Sequence, residues 1–255
     1  MAEGKVVGLK SLSALFGGSA FIVIVATIIY LVVFSGPNYC PEIDDMNEND
    51  PITEFSVQVI GDSLFGADAD GCASVSTFMS LRLWLKVEDN SVPGATIIGD
   101  ESIPEQYVSG DWNWTVIDGG GNDIMPYCTE NDCDEVLDEI ITDSGEGLIP
   151  DLVEKAQKDG SNVILIGYYS VPKGSEYEPV ILEVEIINDR YNEFAEANEG
   201  VYFISLKDVM TPEETPELYS DDLVHPSDDG HYVIGEYIAD FIINIHKEET
   251  GMWFR

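Results

Sequence analysis

Residues 162–168, NVILIGY, form an unbroken apolar run preceded by Gly160-Ser161. Seven residues are too few for a buried helix, and the run does not alternate as a half-exposed strand would. A strand in a parallel sheet, covered on both faces, has this pattern. Working outward, Gly147–Asp159 and Val180–Asn198 flank it with helical spacing, and Val201–Leu206 is a further short strand. Upstream, Phe55–Ile60 and Trp112–Asp118 read as strands. Cys72–Val87 (CASVSTFMSLRLWLKV) reads as a helix merging into a second strand near its end. Glu135–Ile141 is a short helix and Gly230–His246 a terminal amphipathic one. Strands alternating with helices predict an α/β fold, a parallel sheet covered on both sides. In such folds sites form beyond the carboxyl ends of the strands.

The 255-residue chain carries 49 Asp+Glu against 11 Lys+Arg, a formal charge of −38. Such a surface repels nucleic-acid phosphates and anionic lipid head groups. It serves solubility, as in a salty medium that screens its self-repulsion, and in a sharper reading it selects neutral or cationic substrates. At 44% hydrophobic residues the chain can build a sizeable core.

Ala20–Phe34 contains FIVIVATIIYLVV, and residues 12–34 are 23 uncharged positions, enough to span a bilayer with some tilt. Lys5 and Lys10 precede the stretch, while Glu42, Asp44, Asp45, Glu48 and Asp50 follow it. The positive-inside rule then predicts a cytoplasmic N-terminus and an extracytoplasmic remainder. A cleaved signal peptide is the alternative, although its apolar region would be shorter and Phe34-Ser35-Gly36 fits its cleavage site poorly. Residues 1–36 are thus expected to be stub and anchor, 37–53 an acidic, proline-containing tether, and 54–255 the folded domain.

The cysteines are Cys40, Cys72, Cys128 and Cys133, with no C-x-x-C pair to suggest a zinc ribbon or thioredoxin-like site. An even number beyond a membrane segment predicts disulfides in an oxidising compartment, with buried free thiols as the alternative. The polar, turn-forming Thr129-Glu130-Asn131-Asp132 lets Cys128 and Cys133 approach one another. Cys40 then pairs with Cys72 by elimination.

Chemistry-bearing residues follow the strands. Gly61-Asp62-Ser63-Leu64 places a hydroxyl just past the first strand, and Gly66 falls one position too late for a G-x-S-x-G elbow. Alone it is an ordinary turn. Asp118-Gly119-Gly120-Gly121-Asn122-Asp123 follows another strand, and Asn122 offers an amide to a developing oxyanion, or else sits in a flexible loop. Asp222-Leu223-Val224-His225 allows a turn to bring a carboxylate to an imidazole, which fixes its tautomer. His231 and His246 fall on the terminal helix pattern as surface or capping residues. Gly94, in a Pro-Gly turn, can present a bare backbone N–H, and Gly99 lies nearby. Asp68-Ala69-Asp70-Gly71 lacks the first Asp and the distal Glu of a calcium loop.

In this order and spacing, GDSL at 61–64, VPGAT at 92–96, Gly120-Gly121-Asn122-Asp123 and Asp222 to His225 resemble the blocks of the GDSL/SGNH hydrolase family. The resemblance covers roughly residues 54–245. It implies a three-layer α/β/α, flavodoxin-like fold with about five parallel strands, and a serine esterase mechanism without metal or cofactor. It casts Ser63 as nucleophile, His225 as base and then acid, and Asp222 as its orienting partner. The oxyanion hole would comprise the N–H groups of Ser63 and Gly94 and the Asn122 side chain. The expected activity is carboxylic ester hydrolysis outside the cytoplasmic membrane, on a small ester, an acyl lipid or an acetylated glycan. A non-catalytic envelope binding protein on the same fold is the alternative.

Overall fold

The structure, a computed structural model, describes residues 55–66, 73–100, 102–128 and 133–251. The apolar stretch 12–34, the tether 37–53, Cys40 and Cys72 lie outside the described residues, and so does the Cys40–Cys72 pairing. Among the described residues no helix is long and apolar enough to cross a membrane.

Five strands form one sheet: β1 (Val57–Ile60), β2 (Val87–Asp89), β3 (Trp114–Ile117), β4 (Asn162–Gly167) and β5 (Val201–Ser205). Their order is β2-β1-β3-β4-β5, and every pairing is parallel. The helices are α1 (Val75–Leu83), α2 (Ile103–Gln106), α3 (Gly121–Cys128), α4 (Asp134–Ile140), α5 (Leu148–Lys158), α6 (Ile181–Ala197) and α7 (Asp228–Thr250). The expected alternation of strand and helix is therefore present.

Successive strand side chains point to opposite faces, and both faces are dry. Val57, Val59, Val116, Ile164 and Ile166 pack with Val75 and Met79 of α1 and Ile234, Ile238 and Ile242 of α7. Ile60, Ile117, Val163 and Leu165 point the other way, toward Leu137 of α4, Leu152 and Val153 of α5, and Ile187 and Tyr191 of α6. This two-sided burial is why residues 162–168 read as a continuous apolar run. Ser74 caps α1 by accepting from the Thr77 N–H at 3.1 Å, and Ser227 caps α7 by accepting from the Gly230 N–H at 3.2 Å.

The structure departs from expectation in two places. The glycine-rich segment after β3 is not a loop through Asn122: α3 begins at Gly121, so Asn122 sits in a helical first turn. Two glycines before the helix, a third as its first residue and Pro126 inside it hide its periodicity, since proline removes a ladder donor. His231 is not a surface residue. It is only 6% exposed, in the first turn of α7, with its N–H donated to Ser227 O at 2.8 Å. His246, near the other end of α7, meets the Phe55 ring edge-on at 5.3 Å. Cys128, the last residue of α3, is paired with Cys133, the residue before α4, with Cα atoms 5.0 Å apart.

Candidate active site

β1 delivers the chain into Gly61-Asp62-Ser63. The Asp62 Oδ1 accepts the Leu64 N–H at 2.9 Å, closing a tight turn around a partly exposed Ser63. The Ser63 hydroxyl lies 2.9 Å from His225 Nε2, and His225 Nδ1 lies 2.7 Å from Asp222 Oδ2. With Nδ1–H directed at the carboxylate, Nε2 is left to accept the serine proton, the arrangement a general base needs.

The Asp222–His225 turn is held from within. Asp222 Oδ1 accepts the Val224 N–H at 2.8 Å, the His225 N–H at 2.9 Å and the Ser220 hydroxyl at 2.6 Å. Leu223 takes the left-handed conformation at φ 61°, a strained choice for a branched residue. That reversal folds Asp222 back onto the ring three residues later. Partial burial works to raise the Asp222 carboxyl. The hydrogen bonds from His225, Ser220 and the two backbone N–H groups outweigh it and hold the group well below the usual carboxylate range. Asp222 is therefore an anion throughout the range in which a histidine can act as base.

The Ser63 hydroxyl opens on a cleft of about 430 Å³, also lined by Gly94, Asn122, Tyr168, Tyr169 and Tyr177. Gly94, rather than Gly99, reaches this wall. The Asn122 amide is fixed on both sides. Its Nδ2 donates to Ala95 O at 3.0 Å and more loosely to Asp62 Oδ2 at 3.3 Å, while Oδ1 accepts the Tyr177 hydroxyl at 3.3 Å. Asp123 accepts the N–H groups of Ile97 and Ile98 at 2.8 and 2.9 Å, tying α3 to the segment that carries Gly94. Burial outweighs those two bonds and lifts the Asp123 carboxyl to about 6.

Several of these residues escape a sequence reading. The three cleft tyrosines spend their hydroxyls on the protein: Tyr168 on Asp62, Tyr169 on Val224 O and Tyr177 on Asn122. They thus present rings to the cleft. Tyr168 and Tyr169 directly follow β4, which the rule of carboxyl-end sites could have flagged; Tyr177 has no local signal. Asp118, just beyond β3, is fully buried beside Asp62. Among the described residues no group of His, Cys, Asp and Glu is arranged to hold a metal ion.

With a serine, histidine and aspartate aligned beyond the ends of a parallel five-stranded sheet, the architecture is that of an SGNH-type hydrolase. Residues 59–233 match the model of the GDSL-like lipase/acylhydrolase family, and the chain belongs to that family of serine ester hydrolases. Solved structures share the fold at low identity. Est24, a carbohydrate acetylesterase from Sinorhizobium meliloti, aligns with a TM-score of 0.54 at 14% identity over 75% of this chain and 99% of its own. The lipase/acylhydrolase from Enterococcus faecalis gives 0.55 at 19% over 74% and 95%. The psychrotrophic esterase EstA from Pseudoalteromonas sp. gives 0.53 at 16% over 75% and 98%. No curated protein matches the chain in sequence.

Proposed function

We propose that the protein hydrolyses carboxylic esters through Ser63, His225 and Asp222. The observation that carries this reading is the continuous hydrogen-bonded line from the Ser63 hydroxyl through His225 to Asp222 at the mouth of the cleft. Ser63 Oγ attacks the ester carbonyl while His225 Nε2 takes its proton, and Asp222 steadies the imidazolium. The tetrahedral oxyanion is met by the N–H groups of Ser63 and Gly94 and by the Asn122 amide. His225 returns the proton to the leaving alcohol, and a water activated by the same nitrogen releases the acid from the acyl-enzyme.

Tyrosine rings, Val171 and Val184 give the cleft apolar walls, and its acidic side chains are those of Asp62 and Glu176. With the acidic surface, this favours esters whose alcohol is neutral or cationic over anionic ones. Small esters, acyl lipids and acetylated sugars such as those acted on by carbohydrate acetylesterases all fit that description. A panel of short-acyl, long-acyl and acetylated-sugar esters, each with neutral and anionic members, tests the reading. Turnover of the neutral members is expected, and a complete lack of hydrolysis across the panel would sink it. In the same assay Asn122→Ala should lower kcat by about 10²–10³-fold with little change in KM, the usual cost of one oxyanion donor. An unaltered kcat would leave Asn122 as a structural residue only.

We also propose that residues 12–34 anchor the domain outside the cytoplasmic membrane, from their uncharged length and from Lys5 and Lys10 on one side. Protease added to intact spheroplasts should then digest the domain. A domain protected until the membrane is broken would reverse the orientation.

A further inference from the structure

Behind the nucleophile turn lie two carboxyl groups that the proposed reaction does not use. Asp62 follows β1 and Asp118 follows β3, and these strands are hydrogen-bonded neighbours in parallel register, Ile60 opposite Ile117. The register brings the two side chains together where the strands end. Gly61 makes the approach possible, because a Cβ at that position would stand 1.4 Å from Asp118 Oδ1. The Asp62 N–H donates to that same oxygen at 3.0 Å. Asp118 is 0% exposed and Asp62 4%.

Two adjacent buried carboxylates cannot both be ionised without a large penalty, so one of them keeps a proton. The hydrogen-bond donors decide which. Asp62 receives three toward its carboxyl group: the Leu64 N–H at 2.9 Å, the Tyr168 hydroxyl at 3.1 Å and the Asn122 amide at 3.3 Å. Among the described residues Asp118 receives the single Asp62 N–H on Oδ1, and its Oδ2 has no donor. Oδ2 is therefore the place for the proton, and the interaction between the two carboxyl groups holds Asp62 down while it lifts Asp118.

The surroundings agree. Facing the pair are Tyr168 from the end of β4, Asp123 from α3, Asp89 from β2, Tyr191 from α6 and His225 from the turn before α7. Of these His225 alone can carry positive charge, and it faces Asp62. Burial, then the Asp62 charge, push the Asp118 carboxyl well up. Asp62 is raised by burial too, but bonds from Leu64, Asp118 and Tyr168 oppose the rise.

The ionised member sits at a junction. One Asp62 oxygen shapes the turn around Ser63 through Leu64. The other holds the Asn122 amide and the Tyr168 hydroxyl, which itself accepts the Gly121 N–H at 3.0 Å. A single carboxylate thus joins the nucleophile turn to the first turn of α3.

We propose that Asp118 is a positioning residue that stays protonated at neutral pH and donates to the Asp62 carboxylate, which fixes the Ser63 turn against the Asn122 amide. The catalytic consequence rests on the ester-hydrolase reading; the site of the proton does not. Asn is the neutral mimic of a protonated Asp: its oxygen accepts the Asp62 N–H and its amide donates to the Asp62 carboxylate. Leu fills similar space and does neither.

Infrared spectra of the full-length protein, carrying carboxyl-¹³C aspartate, locate the proton directly. At pH 8 the wild type should show the C=O stretch of a protonated aspartic acid, and Asp118→Asn should lose it. A wild-type protein without that band, or an Asp118→Asn protein that keeps it, overturns the proposal whether or not any ester is hydrolysed. In kinetics Asp118→Asn should keep kcat within about tenfold of wild type, while Asp118→Leu loses about 10- to 100-fold with KM nearly unchanged. Asp118→Asn losing as much as Asp118→Leu would mean that the residue acts as an anion, which also overturns it. Should Asp118→Leu fail to fold, the infrared result and the Asp118→Asn rate still decide.

Discussion

Ser63→Ala is expected to lower kcat for a short-chain chromogenic ester by about 10⁴–10⁶-fold, the scale on which removal of a serine nucleophile acts. The loss should be near-complete because neighbouring groups cannot stand in for the hydroxyl. Asp62 is buried behind the turn with its oxygens engaged by Leu64, Tyr168 and Asn122. Stability should barely move. The Ser63 side chain is partly exposed, and its hydroxyl bonds to a half-exposed His225 that water can serve instead. Its removal should therefore cost about 0.5 kcal/mol or less. Covalent labelling by a fluorophosphonate provides a second readout, since the same oxygen must attack phosphorus. Full-strength labelling of a folded Ser63→Ala protein would end the assignment of Ser63 as nucleophile.

Gly61→Ala should have the largest effect on stability of any single methyl addition near the site. The new Cβ would stand 1.4 Å from Asp118 Oδ1, 2.6 Å from Asp118 Cγ and 2.8 Å from a ring carbon of Phe65. Neither neighbour can retreat, because Asp118 and Phe65 are both completely buried. The Gly61 backbone cannot retreat either. Gln106 grips it on both sides, accepting its N–H at 2.7 Å and donating to its carbonyl at 2.9 Å. The Val92 N–H adds a bond to the same carbonyl at 3.0 Å. Overpacking of this kind costs about 3 kcal/mol, which lowers Tm by about 10 °C in a domain of this size. Thermal unfolding of the purified variant is the check, and a Tm within about 2 °C of wild type would contradict the packing described. Shortening Asp118 to Ala in the same chain should return part of the loss, because the two changes act on one contact.

Much of the fold could be read from local sequence. NVILIGY at 162–168 is apolar on both sides, and β4 is buried on both sides; the helical patterns at 147–159 and 180–198 appear as α5 and α6 within one or two residues. The order of the four motifs placed Ser63, Gly94, Asn122, Asp222 and His225 near one another because parallel strands deliver their following turns to a common edge. The strands and helices were read from periodicity within a short window, which is where sequence speaks directly, whereas the site was read from the likeness of four widely spaced motifs to the GDSL/SGNH blocks.

Other features belong to the tertiary structure alone. The Asp62–Asp118 contact joins residues 56 positions apart and exists only because β1 and β3 pair in one particular register. Nothing local distinguishes a buried Asp118 from the ordinary turn aspartate that Asp-Gly-Gly suggests. Leu223 adopts a left-handed φ that its side chain disfavours, in a turn closed by the bonds that the Val224 and His225 N–H groups donate back to Asp222. α3 forms in spite of Pro126, and Asp123 ties its first turn to the backbone of Ile97 and Ile98. His231 looks polar and terminal in sequence, yet it is buried where α7 packs beneath the site. In each case a contact distant along the chain outweighs the local preference, and propensity or spacing cannot register such a contact before the strands have paired.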